Sequence, residues 1–206
     1  MHALVVFDHP YGATASDNVP HRRSLSAAML AAAVAGLDAA GHTHDVLDLT
    51  AEGFDPVLSA EDLVAWRTGA PPRADVVGLQ ARLAVADHLV LVFPTWWMAM
   101  PAGTKGFIDR VLTRDFAFDE PRPGGALVRR LDRLGGVTVL TTMTTPRALY
   151  RSWFGRPAHR VLVQGTFRLI GIRRVRWIAV HRSEQRGAAS RDKALARITE
   201  RFRTLA

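Results

Sequence analysis

The chain has 206 residues, 48% of them hydrophobic and 22% charged, with no cysteine. That length and balance predict one globular domain with a sizeable core, and the cysteine count excludes disulfides, thiolate metal centres and thiol catalysis. The formal charge of +8 is unevenly placed: residues 1–103 hold 5 Lys+Arg against 11 Asp+Glu, and residues 104–206 hold 22 against 8.

The basic half fits a solvated, arginine-rich surface and also fits attraction of phosphate-bearing nucleotides. No nucleic-acid partner is expected, because no zinc-finger spacing, RNP-like aromatic motif or heptad array accompanies the charge. No run reaches the roughly 18 apolar residues of a membrane span. The start, MHALVVFDHP, lacks a basic region followed by a signal-length apolar stretch. A cytoplasmic protein is the expectation.

In chain order, Ala3–Phe7 predicts a first buried strand, and residues 24–40 a helix capped by Ser24 or Ser26 and stopped at Gly41. The intervening loop, residues 8–23, is unusually long. Residues 45–49 predict a second strand. Residues 59–66 predict a short helix, with Ser59 and Asp62 at capping-box spacing. After a GAPPR loop, residues 75–86 predict a helix with Val76, Leu79, Leu83 and Ala86 on one face. Residues 89–93 predict the third strand and residues 103–112 a helix with Phe107, Ile108, Val111 and Leu112 inward. PRPGG at 121–125 predicts a turn. Residues 137–140 and 175–180 predict strands four and five, residues 161–170 a helix between them, and residues 188–205 a basic terminal helix.

Strands alternating with helices predict an α/β fold with a parallel sheet covered on both faces. The strands lack polar alternation, as expected when both faces are buried. Five strands fit the order 2-1-3-4-5, in which the loops after strands 1, 3 and 4 converge on one rim, the usual place for a ligand.

Those loops hold the unusual residues. The first runs from His9-Pro10-Tyr11 to a helix start, Ser24-Leu25-Ser26, where backbone N–H groups suit a phosphate. The same serines also read as simple caps, and His9 as a structural histidine. The second follows strand 3 in the stretch FPTWWMAMPAGTKGFIDRVLTRDFAF, residues 93–118. Its paired tryptophans, Trp96 and Trp97, suggest a flat aromatic ligand, although Trp97 also reads as core filler. The third is hydroxyl-rich: Thr141, Thr142, Met143, Thr144, Thr145 and Pro146.

The second loop and its helix resemble the signature of the flavodoxin-like NAD(P)H:quinone oxidoreductases, the DT-diaphorase-like group. That signature is a Pro-x-x-Trp-x-x-x-Pro-Ala loop, a Lys-Gly-aromatic helix and an Arg-Val step. Pro94, Trp97, Pro101, Ala102, Lys105, Gly106, Phe107 and Arg110-Val111 match it. The resemblance implies a flavodoxin-like three-layer sandwich around a five-stranded parallel sheet of order 2-1-3-4-5. It implies a flavin-dependent oxidoreductase that passes hydride from NAD(P)H through the flavin to a quinone-like acceptor by a ping-pong scheme. FMN is favoured over FAD, since no dedicated adenine site is visible. It implies a homodimer with the active site at the interface, into which residues 98–100 could enter.

By the same resemblance, His9, Ser24, Leu25 and Ser26 hold the flavin phosphate. Pro94, Thr95, Trp96, Trp97 and Met98 lie against the ring through backbone groups. Thr141, Thr142, Met143 and Thr144 pass its pyrimidine edge, and Tyr150 and His159 stabilise charge at the reacting face. Ser26 stands where the family has Asn, and Met143 and Thr144 stand where it has glycines.

Other nucleotide-binding readings fit less well. The turn after strand 1 is not G-x-G-x-x-G, and no G-x-x-x-x-G-K-[ST] loop occurs. A receiver domain shares the strand order, but Pro94-Thr95-Trp96 stands where its acceptor Asp belongs. A flavin-holding electron carrier, or a regulatory subunit of a partner protein, remains the alternative to an enzyme.

Overall fold

Five short apolar runs become the strands of one parallel sheet in the computed structural model, which describes residues 1–17 and 24–205. The strands are β1 (His2–Phe7), β2 (Thr43–Asp48), β3 (His88–Pro94), β6 (Gly136–Met143) and β7 (Val175–His181). Their order is β2-β1-β3-β6-β7, all neighbours parallel. Between β3 and β6 lies a two-stranded antiparallel ribbon, β4 (Phe118–Asp119) with β5 (Val128–Arg129), closed around the expected PRPGG turn. The sheet order is the expected 2-1-3-4-5 once the ribbon is set aside.

Alternate residues of each central strand face opposite layers, because strand side chains have period two. Leu4, Val6, Leu89, Leu91, Phe93, Val137 and Val139 face one core; Ala3, Val5, Phe7, Val90, Val92 and Leu140 face the other. The first core is covered by α3 (Ala74–Ala84), α4 (Ala102–Val111) and a helix that begins at α6 (Pro157–His159) and continues as a π-helix over Arg160–Arg168. The second is covered by α1 (Leu25–Ala39) and α7 (Ala188–Arg203).

Several expectations hold in detail. Ser59 and Asp62 form the capping box of α2 (Ala60–Thr68). Ser24 caps α1 through the Ala27 amide, and Gly41 follows the helix with φ +69°. The differences are physical. The fourth central strand does not stop at Leu140 but runs to Met143, because threonines pair well in a ladder and their hydroxyls find partners. The third rim loop therefore shortens to residues 144–146. A short helix, α5 (Arg147–Ser152), follows it; the proline and arginines there gave no clear period. The segment expected as a helix over 161–170 is helical but π-wound, with the Thr166 hydroxyl donating back to the Val161 carbonyl. Residues 18–23 of the long first loop lie outside the described residues.

Candidate active site

The first-loop residues are pinned from below. Phe7 ends β1 and stacks on His9, which in turn meets Tyr11. Tyr11 donates its backbone N–H to His9 Nδ1 at 3.1 Å, so a neutral ring carries its proton on Nε2. Burial lowers the His9 pKa against the opposing pull of Asp8 and Asp48, which favours that neutral form. Asp48 accepts from the Ala13 amide at 2.7 Å and ties this loop to the end of β2.

The start of α1 presents donors. Ser24 Oγ is spent on the Ala27 amide. The amides of Leu25 and Ser26 have no acceptor among the described residues, as the first helical turn requires. Ser26 Oγ lies 3.3 Å from Thr142 Oγ1 across the sheet. Two free amides and a shared hydroxyl pair at a helix N-terminus form a donor set suited to a phosphate, so the residues fit the phosphate end of a flavin nucleotide.

The second loop is a tight turn built against backbone preference. Trp96 and Ala99 exchange both backbone hydrogen bonds, at 3.0 and 2.9 Å. The two residues between them, Trp97 and Met98, have φ of +48° and +63°. Two bulky residues in the left-handed region are costly, and such strain concentrates at ligand sites. Pro94 ends β3. The Thr95 amide extends the ladder to the Thr142 carbonyl at 2.7 Å, and its hydroxyl meets Thr141 Oγ1 at 2.8 Å. The fold therefore consumes the amides of Thr95 and Trp96. The amides of Trp97 and Met98 stay without acceptors among the described residues. The Trp97 indole is 99% exposed, which rules out the core-filler reading.

The third loop places Thr141, Thr142 and Met143 inside β6, buried, with Thr144 exposed at the rim. Thr145 bridges the second and third loops through a long contact to the Met98 sulfur, and its carbonyl lies 3.0 Å from His181 Nδ1.

Tyr150 and His159 are brought together. Tyr150 is 3% exposed, packs on the His181 ring and accepts the His159 backbone N–H at 3.3 Å. Burial raises its pKa. The His159 ring lies edge-on to Trp177, and its buried Nδ1 has no partner among the described residues. Burial, then Arg156 and Arg168, lowers its pKa, so the ring is held neutral.

Sequence reasoning missed two features that hold the rim. Asp8, at the end of β1, caps α4 through Thr104. Arg110, matched only as a motif letter, is a buried cation bonded to Asp62, Asp75 and the Asp55 carbonyl and stacked on Phe54. Neither role shows in the sequence, because the partners come from distant segments.

The description "Flavodoxin-like fold" fits residues 1–205. The chain belongs to the flavodoxin-like family. Within that family it is similar to an NAD(P)H:quinone oxidoreductase from Methanothermobacter marburgensis, with TM-score 0.85 and 27% identity over 100% of this chain and 99% of that one. It is also similar to the Smu.1420 protein of Streptococcus mutans, with TM-score 0.83 and 30% identity over the full length of both. Among curated relatives, a mouse ribosyldihydronicotinamide dehydrogenase [quinone] is 32% identical over 119 residues, 48% of this chain and 50% of that protein. A ribosyldihydronicotinamide dehydrogenase-like protein of Penicillium crustosum is 33% identical over 131 residues, 56% of this chain and 45% of that protein. The matched part thus spans half or less of these curated relatives. In a flavodoxin-like fold the rim described above is the topological switch point where ligands bind.

Proposed function

We propose that the chain is a flavin-dependent NAD(P)H oxidoreductase acting on quinone-like acceptors. The observation that carries this reading is the joining of three loops on one rim. Ser26 meets Thr142, Thr95 meets Thr141, and the free amides of Leu25, Ser26, Trp97 and Met98 are left around them. The names borne by the similar proteins support it.

In this reading Leu25 and Ser26, with the Nε2–H of His9, hold the phosphate of FMN. Trp97 and Met98 offer backbone donors to the ring's polar edge, and the strained turn fixes them in place before binding. Thr141, Thr142 and Met143 form the wall behind, with Thr144 at its lip. Tyr150 anchors the His159 backbone, so the two work as one unit, with the neutral His159 ring handling a proton near the reacting face. Bound flavin supplies the redox chemistry, accepting hydride from NAD(P)H and passing two electrons to the acceptor in a ping-pong cycle. FMN rather than FAD is the flavin proposed. A homodimer fits the exposed Trp97 and the apolar neighbours Met98 and Met100.

The deciding experiment is the visible spectrum of the purified protein, before and after anaerobic NADPH or NADH, and again after a quinone. A flavin band that bleaches with a nucleotide and returns with the quinone supports the enzyme. A flavin that neither nucleotide reduces favours an electron carrier. A colourless protein that takes up no flavin overturns the site.

A further inference from the structure

Five consecutive residues of β7, 176–180, line one groove of about 770 Å³. Strand side chains alternate between faces, so only a groove along the strand's edge meets five in a row. β7 is the last strand of the sheet and pairs with β6 alone among the described residues. Backbone groups on its outer edge are therefore open to a further strand.

The opposite wall is one face of α7. Ser190, Ala194, Ile198 and Phe202 recur every fourth residue along it, and Ile198 and Phe202 are buried as an apolar floor. Ile178 and Val180 of β7 pack into the core that α7 covers, so Arg176, in phase with them, lies on the α7 side of the sheet.

Six cations line this groove: Arg147, Arg176, Arg186, Lys193, Arg197 and Arg201. No carboxylate lines it, and none of the six forms an ion pair among the described residues. Glu200, also on α7, is taken by Arg203 at 2.7 Å. Arg186 is held by neutral acceptors, the His181 carbonyl and the Ser190 hydroxyl, each at 2.8 Å. Burial lowers the His181 pKa, and the charges of Arg147 and Arg186 lower it further, so cations from two elements converge at this end of β7.

We propose that the groove between β7 and α7 takes an acidic segment of a partner protein, which adds as an extended strand to the free edge of β7. Main-chain bonds to β7 hold it, and acidic side chains at every second position meet Arg176, Lys193, Arg197 and Arg201. β7 has seven residues, so a segment of that length fills the edge. A second copy pairing edge to edge about a two-fold axis would set the six cations against six like ones. A nucleic acid would answer the charge, but its backbone cannot continue a β-ladder. The groove follows the outermost strand, whereas the candidate site is built from the loops after β1, β3 and β6. The proposal therefore does not rest on the flavin reading, and it leaves the Trp97 face to the second subunit.

The test is fluorescence anisotropy of the intact protein with a labelled, end-capped heptapeptide that alternates glutamate with valine or threonine. Expected is binding that weakens with added salt and is absent when lysine replaces glutamate. Arg197→Gln with Arg201→Gln, both at exposed positions, should weaken it roughly tenfold. Alternate amides of a strand point to its neighbour, so N-methylation of one alternate set in the peptide should abolish binding and of the other set should not. Equal tolerance of both sets overturns the proposal, since charge alone would then hold the peptide. So does a glutamate peptide that fails to bind, or a single-stranded oligonucleotide that binds more tightly and loses affinity in the same double variant. A double variant with an altered oligomeric state by light scattering also overturns it, because the groove would then join copies of this chain. Flavin uptake and quinone turnover of the double variant are measured separately, so either reading can fail without the other.

Discussion

Asp8 Oδ2 accepts two hydrogen bonds from Thr104, from the amide at 2.5 Å and from the hydroxyl at 2.7 Å. The carboxylate therefore sits on the positive end of α4, where charge and free amides both favour it. It binds the end of β1 to the helix that follows the tryptophan turn. Gly103 is required there, because a Cβ would lie 2.8 Å from the Asp8 oxygens. Gly106, one turn on, leaves room for Pro56, whose backbone would be 2.4 Å from an added Cβ.

Asp8→Ala should cost about 1–2 kcal/mol, the usual cost of a lost cap. It should also raise the flavin dissociation constant, because the helix that follows the second loop loses its tie to the end of β1. Urea unfolding and flavin titration measure the two effects. Asp8→Asn, which keeps an acceptor but not the charge, should fall between.

Arg110 is 1% exposed and pairs with Asp62 at 3.1 Å and Asp75 at 2.8 Å. Removing one member of such a pair strands the other in the interior. Asp62→Ala should therefore lower stability by about 3–5 kcal/mol, and Arg110→Met should cost about as much, because it leaves the buried Asp62 without its cation. Thermal melts of the two variants compare them directly.

The turn at Trp97 and Met98 stores conformational strain. Met98→Gly should stabilise the flavin-free protein by about 1 kcal/mol, since glycine adopts a positive φ without penalty. The same change should weaken flavin binding, because the loop is no longer fixed in advance. Calorimetry of flavin-free and flavin-loaded protein should show the two effects with opposite signs.

His88 is buried at the start of β3, 2.9 Å from Thr138 Oγ1, and burial, with Arg176 nearby, lowers its pKa from 6.5 to about 4. The folded chain refuses a proton that the unfolded chain accepts. Stability from this residue is thus complete above pH 6.5 and is lost as pH falls toward 4, by roughly 3 kcal/mol at about 1.4 kcal/mol per pH unit. His88→Gln keeps a partner for Thr138 but cannot titrate. Denaturation midpoints across this pH range should fall more steeply for the natural chain than for the variant.

The sequence alone determined the layered α/β plan and the Ser59–Asp62 cap, which rest on local periodicity, caps and breakers acting within a few residues. The strand order, and with it the meeting of the three rim loops, came from the family resemblance. It also identified the tryptophan turn, because a motif of matched residues marks it. Only the tertiary structure decided that Trp97 points to solvent in a left-handed turn, that β6 runs on through Thr142, and that Tyr150 grips the His159 backbone. Only it showed Asp8 capping α4 across 96 residues and Arg110 gathering carboxylates from two other helices. Those choices depend on which distant groups meet, and a buried charge or hydroxyl takes its role from the partner that satisfies it.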